Sequence, residues 1–166
     1  MNYPIRKPLR LPHYDYSETG CYFITLCTQG RLLLFELENN PRTGDEIVAP
    51  DCAPQNQILH NWVRALPSYF PSVCVDLYVI LPDHLHMLLS INRPGTNSAL
   101  SDIMQCFKSG TTKDYIAGVK EGCLRPFDRK LWQKSYYDHV IRNHSDYLEI
   151  WQYIANNPKK WIIDHP

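Results

Sequence analysis

The chain has 166 residues, enough for one domain with its own core, and its 44% apolar content excludes a disordered or fibrous protein. Its 17 Lys and Arg balance 17 Asp and Glu, so bulk charge does not drive binding to nucleic acid or to an acidic surface. No run approaches the roughly 18 apolar residues of a membrane span, and the N-terminus lacks a signal-peptide core, so a soluble cytoplasmic protein without membrane contact is expected.

Six cysteines, at 21, 27, 52, 74, 106 and 123, form no CxxC pair. That pattern indicates reduced thiols rather than a zinc site or a disulfide framework. The charges are unevenly spread. Residues 31–55 are acidic, the first 20 residues read as an arm with Arg6, Lys7 and Arg10, and residues 108–142 are rich in Lys and Arg. A basic face on a neutral protein would fit this spread, as would ordinary solvated charges.

In chain order, CYFITLCTQ (21–29) is β-branched and aromatic, and predicts a strand. Residues 38–56 are full of turn formers and predict an irregular connection. Leu59, Trp62, Val63 and Leu66 fall at helical spacing, with Pro67 as the stop. VCVDLYVIL (73–81) predicts a second strand with Val73, Val75, Leu77, Val79 and Leu81 on one face. After a turn at Pro82-Asp83, HLHMLLSI (84–91) predicts a third. Leu100, Ile103, Met104 and Phe107 mark a second helix capped near Asn97-Ser98, with Gly110 a candidate interruption. Residues 118–130 predict a loop, and LWQKSYYDHVIR (131–142) a fourth strand. A last helix is expected from Ser145-Asp146 to Asn157, stopped by Pro158. This order is the split βαβ pattern of an α+β, ferredoxin-like (RRM-like) fold: an antiparallel sheet with helices on one face and the other left for a ligand. The whole of 1–166 is expected to form a single domain.

His84 and His86 share one side of their strand, opposite Leu85, Met87, Leu89 and Ile91. They displace no core residue, and two adjacent imidazoles form half of a divalent-metal site. Two surface histidines paired with their neighbours would give the same pattern. In YLEIWQYIANNP (147–158) the apolar stripe is Tyr147, Ile150, Trp151 and Ile154, and Tyr153 lies about 120° from its centre. Asn157 falls one turn later on the same side.

The ordered set PDHLH, WQKSYYDHVIR and YIANNP resembles the single-tyrosine HUH transposases, and most of all the REP-associated tyrosine transposases. The opening LRLPHYDYSETGCYFITLCTQGR is similar to the start of one branch of these proteins. The resemblance implies a metal-dependent endonuclease and strand transferase that acts on single-stranded DNA, often beside a hairpin, through a 5′-phosphotyrosine intermediate. Tyr153 corresponds to the nucleophile and His84-Leu85-His86 to the HUH motif, with Asn157 where the wider family carries a glutamine as third ligand. Mg²⁺ or Mn²⁺ is the expected cofactor. Arg6, Arg10, Lys108, Lys130, Lys134 and Arg142 are the expected DNA contacts, and tyrosines or Trp132 could stack unpaired bases. Such a protein would be nucleoid-associated, as a monomer or a homodimer. The alternative is a protein of the same fold that binds single-stranded or hairpin DNA without cutting it.

Overall fold

Two apolar runs joined by Pro82-Asp83 leave room for only a two-residue turn, and they pair as a hairpin. The computed structural model describes residue 15 and residues 19–48, 52–92 and 99–166. Its elements are β1 (Gly20–Cys27), α1 (Pro54–Tyr69), β2 (Val73–Leu81), β3 (His84–Ile91), α2 (Leu100–Lys120), β4 (Tyr137–Ile141) and α3 (His144–Asp164). The sheet order is β2-β3-β1-β4, and each neighbouring pair is antiparallel. β3 is thus inserted between the parallel β1 and β2, as the split βαβ pattern requires.

Two apolar layers hold the sheet. Tyr22, Ile24, Leu26, Leu85, Met87 and Leu89 face α1 and α2, where Leu59, Leu66, Ile103 and Phe107 are fully buried. Phe23, Leu77, Val79, Leu81 and Leu88 form a smaller layer on the opposite side, closed by Ile154 of α3. The last helix therefore covers part of the face expected to be open.

Several local expectations change. A register shift between Val75 and Leu77 moves the strand's side chains to opposite faces. Val73 and Val75 enter the larger layer while Leu77, Val79 and Leu81 enter the smaller one, so β2 has no single apolar face. Pro67 lies inside the last turn of α1, where only one carbonyl loses its partner. α2 runs through Gly110 to Lys120, because the glycine is a contact rather than a break. A Cβ there would meet the Trp62 ring at 2.0 Å. The expected caps Asn97 and Ser98 lie outside the described residues; Asp102 Oδ2 accepts from the Ala99 amide at 3.0 Å instead.

β4 is shorter than expected. Residues 131–136 fold instead against the end of β1, where Trp132 bridges Thr28. α3 starts at His144 behind the Asn143 cap and continues through Pro158 to Asp164. Proline gives no N–H to the Ile154 carbonyl. Burial of Ile154, Asn157 and Pro158 against the sheet outweighs that loss.

Candidate active site

The register puts the histidines on the α3 side of the sheet. Val79, His86 and Thr25 are neighbours across β2, β3 and β1, with Tyr137 next on β4. His84 opens β3 opposite Leu81, and Phe23 lies between Leu88 and His139. Both histidines are buried, as expected of side chains under a helix rather than on an open surface.

Each ring is fixed from behind. Asp83 Oδ1 accepts from Nδ1 of His84 at 2.5 Å, and Thr25 Oγ1 lies 2.8 Å from Nδ1 of His86. With both Nδ1 atoms engaged, the two Nε2 atoms face each other at 3.2 Å. Burial lowers the His84 pKa despite Asp83. Burial and then the His84 charge take His86 down to about 3, although a hydrogen bond donated to Asn157 opposes them. The depressed pKa values favour neutral imidazoles, and with each Nδ1 donating to Asp83 or Thr25 both Nε2 lone pairs would be open to a cation. The spacing suits two adjacent donors on one ion with bonds of about 2.1 Å.

α3 supplies the opposite wall. The Tyr153 ring centroid is 5.4 Å from that of His86 and 5.6 Å from that of Phe23, and 43% of the residue is exposed. Asn157 donates from Nδ2 to the Tyr153 carbonyl at 3.2 Å, which orients its amide and leaves Oδ1 for the His86 side. One turn further, Trp161 lies 5.7 Å from the His84 ring. Tyr153, Asn157 and Trp161 thus form a line along the helix that faces the two histidines.

A cavity of about 620 Å³ opens here. Its lining comes from Phe23 and Thr25 of β1, both histidines, Tyr137 and His139 of β4, and Asp146, Ile150 and Tyr153 of α3. Arg31 completes it. His139 Nε2 is 3.0 Å from each Asp146 oxygen. Burial opposes ionisation of Asp146, but His139 and the Arg142 amide hold its pKa below the ordinary value.

Four of the expected site residues, Tyr153, His84, His86 and Asn157, therefore converge. Of the expected DNA contacts, Lys108, Lys130 and Lys134 lie elsewhere. Lys108 donates to the carbonyls of Gln133 and Lys134 at 2.8 and 2.9 Å, and burial followed by the Lys130 charge lowers its pKa. Lys108, Lys130 and Lys134 border a second hollow of about 340 Å³ with Arg129. Arg142 is exposed at the end of β4, and Arg6 and Arg10 lie outside the described residues. Trp132 is not available for stacking bases. It is 3% exposed, stacked on Phe35 and donating to Thr111 Oγ1 at 2.9 Å.

Sequence reasoning missed Arg31 and the His139–Asp146 pair as parts of one cavity, and Asp83 as the partner that holds both His84 and Arg31. Asp83 lies in the turn, before the strand's alternation begins, and so reaches His84. Among the described residues, one group of three His, Cys or carboxylate side chains could hold an ion: Glu38, Cys52 and His60. Its 2.6 Å Glu38–His60 contact is a hydrogen bond, shorter than two donors on one ion would keep. With Tyr78 on Nδ1 of His60, also at 2.6 Å, this network ties the 32–48 segment to α1 and β2.

Residues 59–157 match the family model described as Transposase IS200 like. The chain belongs to this family. A Haemophilus influenzae protein described only as uncharacterized is 32% identical over 179 residues, covering 96% of this chain and 91% of that one. A second protein from the same organism, named as a candidate REP-associated tyrosine transposase, is 24% identical over 155 residues, covering 88% and 74%. The fold is similar to that of a solved REP-associated tyrosine transposase bound to a REP hairpin. That match has a TM-score of 0.58 and 21% identity, covering 91% of this chain and 73% of the other. The resemblance read from the motifs and these matches lead to the same group of transposases. Among the described residues no helix is long and apolar enough to cross a membrane.

Proposed function

We propose that this chain cuts and rejoins single-stranded DNA through Tyr153. The observation that carries the reading is the half-exposed Tyr153 ring standing 5.4 Å from His86, beside two Nε2 atoms 3.2 Å apart. His84 Nε2, His86 Nε2 and Asn157 Oδ1 would hold a divalent ion, Mg²⁺ or Mn²⁺. When bound, such an ion supplies Lewis-acid polarisation of a phosphate oxygen.

The chain's own residues do the rest. The Tyr153 Oη–phosphorus bond forms as the bond from phosphorus to O3′ breaks, and the phenol proton ends on the departing 3′-hydroxyl. The product is a 5′-phosphotyrosine, whose retained bond energy permits rejoining without a nucleotide cofactor. Phe23 positions the nucleophile by edge contact with its ring, and α3 shields the histidines from water. DNA approach is assigned to Lys130, Lys134 and Arg142, with Lys108 and the arm residues Arg6 and Arg10 as further contacts. The relative bound to a REP hairpin supports a hairpin-bearing substrate and a nucleoid location.

The test is a covalent adduct on denaturing gels, using labelled hairpin oligonucleotides with Mn²⁺ or Mg²⁺. Wild type forms the adduct; Tyr153→Phe and the His84→Ala/His86→Ala double variant do not. Binding without an adduct in all three proteins would make the chain a hairpin-binding module.

A further inference from the structure

We propose that Arg31 is the phosphate clamp of this cavity, a site that takes the non-bridging oxygens of the phosphodiester being cut. The inference rests on the nuclease reading above and gives a role to Arg31, the last residue of the family-like opening stretch.

Arg31 reaches the cavity through an unusual backbone. Gly30 has φ 65° and Arg31 itself has φ 57°, so two successive residues adopt the left-handed region. A non-glycine residue there is uncommon and persists where its surroundings over-determine it. The turn closes through the Arg31 amide on the Thr28 carbonyl at 3.2 Å, and it carries the side chain over the β2–β3 turn.

Asp83 then fixes the guanidinium. Its Oδ2 takes Nε of Arg31 at 2.7 Å, while its Oδ1 holds His84. One carboxylate, itself only 6% exposed at the side chain, positions both the arginine and a proposed metal ligand. Nη1 donates to Cys27 Sγ at 2.7 Å. Among the described residues Nη2 has no partner, so donors remain on a side chain that is 48% exposed. Arginine presents five N–H donors in a planar fork that matches phosphate, and two are used here.

Charge points to the same ligand. Among the described residues lining the cavity, Arg31 alone carries a permanent positive charge. Pairing with Asp83 reduces its long-range pull but costs it none of the Nη2 donors. Arg31 would therefore act by oriented hydrogen bonds rather than by bulk attraction. During attack by Tyr153 Oη, the non-bridging oxygens hold the charge while P–O3′ breaks, and Arg31 stabilises them without giving or taking a proton.

The test compares wild type with Arg31→Ala and Arg31→Lys in single-turnover adduct formation, with Mn²⁺ affinity and oligonucleotide affinity measured alongside. Arg31→Ala is expected to slow the adduct step by about 10²–10³-fold, with both affinities within about threefold of wild type. Arg31→Lys should fall between the two. An oligonucleotide with an uncharged methylphosphonate at the scissile position should shrink the difference between wild type and Arg31→Ala. An unchanged rate in Arg31→Ala, or a loss explained by weakened Mn²⁺ binding, would reduce the residue to a prop for Asp83 and overturn the proposal. Inorganic phosphate titrated into ¹⁵N-labelled protein reads the clamp without chemistry. It should move the Arg31 Nε–H signal, and no movement would overturn the clamp even where the nuclease reading had failed on its own adduct test.

Discussion

Asp83 and His84 are joined by a 2.5 Å contact from carboxylate to Nδ1, between residues adjacent in sequence. The contact selects the His84 tautomer that leaves Nε2 free to bind an ion. Asp83→Asn keeps the shape but removes the charge, and its amide can present either end to the ring. Mn²⁺ affinity by titration calorimetry should fall about 10- to 100-fold. Affinity equal to wild type would mean that the ring is held by something other than Asp83.

Gly110 separates two explanations of a helical glycine. If only helix propensity mattered, Gly110→Ala would stabilise the protein by about 1 kcal/mol. The added carbon would instead lie 2.0 Å from the Trp62 ring, whose Nε1 is tied to Asp114 at 2.6 Å. The variant should therefore lose roughly 1–3 kcal/mol in urea unfolding. A gain in stability would show that α1 and α2 can separate at no cost.

Acid stability should depend on Glu38. Burial alone would raise its carboxyl pKa, but the His60 hydrogen bond and charge, with Asn56 and Arg42, hold it below its ordinary 4.5. A lowered carboxylate pKa stabilises the fold above the unfolded value, and that stability is lost as pH falls through the folded value. Chemical unfolding followed downward from pH 5 should show a decline that Glu38→Gln flattens. Parallel curves for the two proteins would remove Glu38 from the account.

The lysines of the second hollow should separate by salt dependence. Lys108 is bound to two backbone carbonyls, so Lys108→Met should loosen the 129–134 loop and lower the melting temperature. Lys134→Ala should leave stability near wild type. It should also reduce the slope of log affinity against log salt for an oligonucleotide by about one. A slope unchanged in the Lys134 variant would place the DNA path elsewhere.

The sequence displayed what local periodicity encodes. The His84/His86 side of β3 follows from alternation in a strand, and the position of Tyr153 off the apolar stripe follows from 100° per residue. The element order yielded the sheet, because the split βαβ pattern permits few arrangements. Features that depend on contacts between distant segments were not legible. The shift at Asp76 reverses the faces of β2 without leaving a mark in its alternating valines. Pro158 reads locally as a stop, yet Ile154 and the buried amide keep the helix intact beyond it. Arg31 meets Asp83 across 52 positions of sequence through a backbone conformation that its residue type disfavours.

The line of Tyr153, Asn157 and Trp161 along α3 has a consequence for assembly. All three ride one rigid rod at intervals of four residues and meet the histidines together. A roll of that rod by a single residue would withdraw the hydroxyl, the amide and the indole at once. In a dimer that exchanged its last helices, each centre would draw its histidines from one chain and its tyrosine, amide and indole cover from the other. An isolated protomer with α3 undocked would then keep two imidazoles and lose both the proposed attacking group and the proposed third donor, leaving it weak in ion binding and unable to form the adduct.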